Sequence, residues 1–64
     1  MWRYEVAYYD ENGLYRYKGF GYEDKFYSFL RKLQKKGLRI VGITNMDGPE
    51  ARARYEAEFL TKNA

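Results

Sequence analysis

The side chains most often used in catalysis are missing from this chain. It contains no histidine and no cysteine, which removes thiol nucleophiles, the usual zinc ligands and the side chain best suited to proton transfer near neutral pH. Ser28 falls on the polar side of a predicted helix without an accompanying base, so we interpret it as a structural residue. We therefore predict that the protein is not an enzyme and uses no cofactor or metal ion.

Three weaker patterns have simpler explanations. Glu56 and Glu58 would share a strand face, as paired glycosidase carboxylates require, but 64 residues offer little concavity to hold a sugar. Gly19-Phe20-Gly21 precedes a helix, as phosphate-binding loops do, yet the third glycine and the βαβ context are absent. The segment 47–50 lacks the alternating carboxylates of a calcium loop and is interpreted as a turn.

A mixed aromatic and cationic surface is predicted on the outward side of a β-hairpin. Apolar and basic side chains alternate into the same face there: Tyr9, Leu14, Arg16, Lys18 and Phe20. Rings and cations on one sheet face are typical of protein-binding hot spots and of sheets that bind single-stranded nucleic acid. We predict that Tyr9 and Phe20 anchor a partner and that Arg16 and Lys18 orient it.

A second surface is basic and helical. Its cations lie opposite the apolar stripe of the predicted helix: Lys25, Arg31, Lys32, Lys35 and Lys36. Such a cluster could contact phosphates, but it also suits the negative end of the helix dipole and would then be only a solvated face.

The hairpin itself is indicated by Asn12-Gly13, which separates the strand patterns 2–9 and 14–20. This dipeptide favours a two-residue type I′ turn, in which both central residues take positive φ. The turn would pair Tyr8 with Tyr17. The predicted inner face then consists of alternate apolar residues: Trp2, Tyr4, Val6, Tyr8, Tyr15 and Tyr17.

An amphipathic helix is predicted over 22–36. Its apolar residues recur at steps of three and four: Tyr22, Phe26, Phe29, Leu30 and Leu33. Acidic residues begin it and basic residues end it, as the helix dipole favours. Gly37 supplies a left-handed stop after the last turn.

Residues 38–44 are rich in β-branched side chains and predict a third strand. Apolar residues lie on both of its faces, which one helix cannot cover. An edge position would leave the strand open to pairing, so we expect that the protein could form a homodimer through this strand or through the outer sheet face.

The segment 51–60 carries conflicting signals. Ala53, Tyr55, Ala57 and Phe59 alternate with charged residues, as in a strand, whereas Ala, Arg, Glu and Leu favour helix. Asp47 and Glu50 could also cap a helix. A helix would leave no clean polar stripe, so we interpret the segment as a fourth strand and keep the helix as the alternative.

These elements predict one α+β domain over residues 1–64, with a four-stranded sheet and one helix in the order ββαββ. Over residues 2–60 this element order resembles the β-grasp group of small domains, to which protein G-like folds belong. The resemblance is architectural and implies no function. With a helical last segment the order becomes ββαβα.

Composition favours a non-enzymatic binding module. Aromatic residues form 20% of the chain and the net charge is +3, with 12 basic and 9 acidic side chains. Dispersed carboxylates dilute any basic stripe, so we expect a protein partner in a regulatory or accessory role, with nucleic acid as the alternative. The chain contains no apolar run long enough for a signal peptide or membrane span, and we expect a cytoplasmic protein without a membrane partner.

Overall fold

The chain folds into a three-stranded antiparallel sheet with two helices on one face. A computed structural model describes residues 2–60. The elements in chain order are β1 Tyr4–Tyr9, β2 Tyr15–Phe20, α1 Glu23–Lys35, β3 Ile40–Asn45 and α2 Pro49–Phe59. The α+β class is confirmed, and the order ββαβα replaces ββαββ.

The strand order is β2-β1-β3, with β1 antiparallel to both neighbours. The segment from β2 through α1 to β3 therefore crosses from one sheet edge to the other. No fourth strand pairs with the sheet among the described residues, so the β-grasp arrangement is wrong. The third strand is confirmed, beginning and ending slightly later than its pattern predicted.

The first hairpin closes through a longer turn than predicted. The Gly13 amide donates to the Asp10 carbonyl (2.9 Å) and the Asp10 amide to the Leu14 carbonyl (2.9 Å). Gly13 has φ of 79°, whereas no non-glycine residue of the described chain has positive φ. Asn12 therefore cannot be in a type I′ turn; a three-residue loop ending in a left-handed glycine forms instead.

This extra loop residue shifts β2 by one position and exchanges its two faces. Tyr8 pairs with Arg16 rather than Tyr17, and Tyr4 pairs with Phe20. Because side chains alternate across a strand, a one-residue slip moves every side chain of β2 to the opposite face. Phe20 consequently points toward the helices, and Tyr15 and Tyr17 point away from them.

Helix α1 follows its predicted pattern closely. Phe26, Leu30 and Leu33 are buried. Gly37, with φ of 73°, ends the helix: its amide donates to Gln34 and the Leu38 amide donates to Leu33. This is a Schellman motif. Tyr22 departs from the prediction, since it precedes the first helical turn and its side chain is exposed.

The last segment is the helix α2, and the predicted strand over 51–60 is wrong. Pro49 fits the first helical position because its missing amide would have no partner there. The Arg52 amide donates to the Gly48 carbonyl (3.0 Å). Tyr55 and Phe59, four residues apart, are its buried side chains, so the apparent alternation reflects this one apolar pair flanked by exposed alanines.

The core is built from stacked aromatic rings between the sheet and both helices. Phe26 lies at its centre, with ring centroids 5.2 Å from Tyr4 and 5.4 Å from Tyr55. Phe20 packs 5.7 Å from Phe26 and 5.2 Å from Phe29. Close aromatic pairs of this kind add stability beyond the area they bury. Phe20 is thus a partly buried side chain packed against the core, although the sequence suggested a surface anchor.

The strand register predicts a large loss of stability on truncation of Phe20 and a small loss on truncation of Tyr17. We expect Phe20→Ala to lower the free energy of unfolding by about 3 kcal/mol, because it removes a ring from the packed cluster. Tyr17→Ala should cost less than about 1 kcal/mol, because that ring faces away from the helices. Urea denaturation of both variants measures the difference, and a larger loss for Tyr17→Ala would contradict the register.

Candidate binding surface

The helices cover one face of the sheet and leave the other face uncovered. Four aromatic side chains lie on the uncovered face. Their exposed fractions are high for aromatic side chains: Trp2 55%, Tyr9 38%, Tyr15 57% and Tyr17 62%. We call these four residues the outer aromatic face. A monomeric domain rarely exposes so many neighbouring rings without a function for them.

Pairing between β1 and β2 brings the tyrosines of this face together. Tyr9 is paired with Tyr15, and their rings meet edge to face with centroids 5.7 Å apart. The Tyr17 hydroxyl donates to the Glu5 carboxylate on β1. This hydrogen bond raises the pKa of Tyr17 and occupies the one carboxylate that the strand β1 carries on the face. The rings are therefore held in place before any partner arrives.

Trp2 completes the face by lying over Gly19 of β2. A Cβ atom at Gly19 would collide with the indole ring, since it would overlap the Cγ and Cδ1 positions. Glycine is required here so that the ring can approach the backbone. The same glycine looked in the sequence like part of a phosphate-binding loop, but its role is to seat an aromatic side chain.

Small residues lie beside the rings across the middle of the sheet. Ala7 of β1 pairs with Tyr17 on one side and with Gly42 of β3 on the other. The Tyr17 ring therefore lies next to two residues with small or no side chains, Ala7 and Gly42. Ala7 is itself only 7% exposed, whereas a Cβ atom at Gly42 would meet no atom within 4 Å, so the surface is open at Gly42.

Two arginines lie at opposite ends of the pair of strands β1 and β3. Arg3 forms an ion pair with Asp47, whose second oxygen accepts a hydrogen bond from the Tyr4 hydroxyl (2.8 Å). At the other end, the Tyr9 amide donates to the Arg39 carbonyl (3.0 Å), so Arg39 extends the ladder beside Tyr9. Arg39 forms no ion pair with any residue in the range 2–60, whereas Arg3 is paired with Asp47.

The surface predicted from the sequence is divided between the two sides of the sheet. Tyr9 lies on the uncovered face and Leu14 is exposed in the turn. Arg16 pairs with Asp10 (2.8 Å), and the Lys18 ammonium lies over the Phe29 ring (5.5 Å) on the helix side. Together with Phe20 packed against the core, these cations cannot share one contact surface with Tyr9.

The basic helix face is partly neutralised. Arg31 lies 3.6 Å from Glu58, and Lys36 lies 3.1 Å from Glu11. Lys32 and Lys35 are exposed and form no ion pair with any residue that the structure describes. Two of the five cations on this predicted surface, Arg31 and Lys36, therefore already have acidic partners.

Two open clefts beside α2 each contain three carboxylates in their lining, and Arg54 lines both. One lies between the helices and includes Glu23, Tyr55 and Glu58, and the other lies at the start of α2. The Tyr55 hydroxyl donates to Glu23 (2.9 Å); burial and this contact raise the Tyr55 pKa. Within residues 2–60, no group of three or more acidic side chains could hold a metal ion.

The sequence therefore missed most of the outer aromatic face. The sequence pattern predicts that Trp2, Tyr15 and Tyr17 face the core, and it gives no indication of a role for Arg39. Asp10, four residues before Leu14, was the sequence signal for the longer loop. An aspartate at this position can accept hydrogen bonds from backbone amides in the turn and so favours a longer loop.

Comparison with known proteins adds no assignment. The chain matches no protein-family model, no curated protein and no solved structure. Neither helix in the described part of the chain is long and apolar enough to cross a membrane.

Acid should weaken the fold through Asp47 and Asp10. Hydrogen bonds from Arg3 and then Tyr4 lower the Asp47 pKa below 3.8, and Arg16 followed by the Leu14 amide lowers the pKa of Asp10. A carboxyl group with a depressed folded-state pKa stabilises the fold above its unfolded pKa, and this contribution is lost as the pH falls.

The urea midpoint should therefore stay level near neutral pH and decline below about pH 4. Asp47→Asn should lower the midpoint at neutral pH and make the acid decline shallower. An equally steep decline in that variant would show that the Arg3–Asp47 contact does not contribute to it.

Gly19→Ala should displace the single tryptophan without unfolding the domain. The added methyl occupies the place of the indole ring, which would swing into water. We expect a red shift of tryptophan emission and easier quenching by iodide, with nearly unchanged circular dichroism. Gly21→Ala is the matched control, since a Cβ there meets no atom within 4 Å and should leave the emission unchanged.

Proposed function

We propose that this protein is a non-enzymatic protein-binding module whose contact surface is the outer aromatic face. One observation carries the proposal: three tyrosines and a tryptophan lie exposed on the sheet face that neither helix covers. Tyrosine and tryptophan are enriched among the residues that contribute most to binding between proteins, because each offers a large apolar ring with a polar edge.

The rigidity of the surface favours binding. Tyr9 and Tyr15 contact each other, Tyr17 is held by Glu5 and Trp2 is seated on Gly19. Side chains that are already ordered lose less rotamer entropy when a partner immobilises them. The exposed lysines Lys32 and Lys35 of α1 have no such restraint and would lose more rotamer entropy on binding.

The shape and the charge of the outer aromatic face indicate which chemical groups a partner should present to it. The open space over Gly42 could receive an apolar side chain of a partner, because a Cβ atom there would meet no atom within 4 Å. Arg39 at the Tyr9 end suits a carboxylate at the margin of the contact. We infer that the partner presents an apolar protrusion with an acidic group nearby.

Charge distribution argues for protein over nucleic acid. Aromatic sheet faces that bind single strands also need cations along the path of the phosphates. Here Arg3 and Arg16 already have acidic partners, and the lysines of α1 lie on the opposite side of the sheet. A phosphate backbone crossing the rings would meet Arg39 and few other available cations.

The proposal is tested by truncating rings on the face and one ring away from it. We expect Tyr15→Ala and Tyr17→Ala each to weaken partner binding by roughly 1–3 kcal/mol, as hot-spot truncations do. Tyr22→Ala is the matched control, because the Tyr22 ring is at least as exposed but precedes α1. Binding is measured by capture from the source cell, followed by titration of the purified partner with each variant.

Nuclease and salt separate the two classes of partner. Capture that survives nuclease treatment and is lost in Tyr17→Ala supports the protein-binding module. Capture that disappears with nuclease, falls steeply with salt and is lost in Lys32→Glu/Lys35→Glu would assign the protein to nucleic acid instead, because counterion release gives that signature. Equal binding by Tyr17→Ala and Tyr22→Ala would exclude the outer aromatic face.

A further inference from the structure

The strand β3 forms one edge of the sheet, and its outward backbone groups have no partner strand within residues 2–60. Amides of Tyr9 and Met46 donate to Arg39 and Arg3 across the β1–β3 pair. Hydrogen bonding alternates along an antiparallel ladder, so Thr44 and Gly42 direct their backbone groups toward β1. Ile43 and Asn45 then direct theirs toward the open edge.

The two edges of the sheet differ in charge. The edge strand β2 carries Arg16 and Lys18, whereas β3 has no charged residue between Ile40 and Asn45. Charged side chains on an edge strand discourage pairing with another chain, and their absence permits it. Exposed Val41 adds an apolar side chain to the uncharged edge. The pairing-competent edge is therefore β3 rather than β2.

The helix above this edge presents a self-complementary pair of charges. The flank of α2 that carries Glu58 contacts α1, where the Tyr27 hydroxyl donates to it (2.7 Å). At 100° per residue, Arg52 and Glu56 occupy the other flank, above β3 and away from α1. They pair with each other at 2.9 Å and remain partly accessible to a neighbour.

One two-fold axis could relate both β3 and α2 to their counterparts in a second copy, because the two elements advance by similar distances from the turn that joins them. When β3 pairs antiparallel with β3 of a second copy, the largest number of outward-pointing backbone N–H and C=O groups form hydrogen bonds if Ile43 lies on the two-fold axis. From the turn at 46–48, α2 runs back over β3, and five helical residues advance about 7.5 Å. Two to three strand residues span about the same distance. By this count, the level of Ala53 and Arg54 along α2 corresponds to the level of Ile43 along β3, so a two-fold axis at Ile43 would bring Arg52 opposite Glu56 of a second copy.

We propose that the protein forms a two-fold homodimer in which β3 pairs antiparallel with β3 of a second copy and α2 packs beside its counterpart. The sheet then continues through six strands, and Arg52 of each chain faces Glu56 of the other. A two-fold contact must be self-complementary, and both the uncharged strand and the opposed charge pair meet that requirement. The dimer is independent of partner binding at the outer aromatic face.

Sedimentation velocity of the full chain over a concentration series tests the association. We expect a concentration-dependent dimer, together with slower hydrogen exchange of the Ile43 and Asn45 amides at high concentration. Thr44→Lys should weaken association by at least about tenfold, because two like charges meet near the axis. Leu14→Lys adds the same charge beside the other edge and should leave the dimer unchanged. A monomer at every concentration would overturn the proposal.

Charge exchange on α2 tests the geometry of the dimer. Arg52→Glu and Glu56→Arg should each weaken association, and the double variant should restore it. A dimer that survives Thr44→Lys, or that forms without amide protection in β3, would overturn pairing at this edge. Failure of the double variant to restore association would exclude the α2 contact. Partner binding by Arg52→Glu separates these results from the proposed function, because Arg52 lies on α2, on the opposite side of the sheet from the outer aromatic face.

Discussion

The turn between β1 and β2 determines how the rest of the structure is arranged. Asp10 accepts hydrogen bonds from the amides of Asn12 (2.9 Å) and Leu14 (3.0 Å) through one oxygen and from Arg16 (2.8 Å) through the other. Gly13 provides the left-handed residue that the three-residue loop needs. This network stabilises a loop one residue longer than a type I′ turn, and that residue decides which side of β2 faces the core.

The resulting division of aromatic residues separates the rings that pack in the core from the rings that we propose bind a partner. Phe20 joins Phe26 and Phe29 under the helices, while Tyr15 and Tyr17 remain on the uncovered face. Phenylalanine has no polar atom to satisfy and is suited to a core, whereas a tyrosine hydroxyl can remain in water. The slipped register therefore fits each residue type to its environment better than the predicted one did.

A chain this small without disulfides obtains stability by packing rings closely. Phe26 stacks between Tyr4 and Tyr55, so β1, α1 and α2 meet at one side chain. The two helices suffice for one face of a three-stranded sheet, and no further element among the described residues covers the other. The exposed face and the open edge of β3 are thus consequences of how few elements this segment supplies, and both are available to partners.

Local chemistry in the sequence was sufficient for α1, for β3 and for the α+β class. The step of three and four residues in α1 and the stop at Gly37 act within one or two helical turns, so no distant contact was needed to infer them. The absence of histidine and cysteine likewise set limits on the chemistry available, whatever the fold.

Tertiary contacts decided the two features that the sequence left ambiguous. Alternation over 51–60 suits a strand, but Tyr55 and Phe59 are buried against Phe26 and Tyr27, which a helix permits because it places them on one side. At Asn12-Gly13, the hydrogen bonds to Asp10 and the packing of Phe20 against Phe26 and Phe29 together select the longer loop. Side-chain burial, which depends on the whole fold, therefore selected the outer aromatic face.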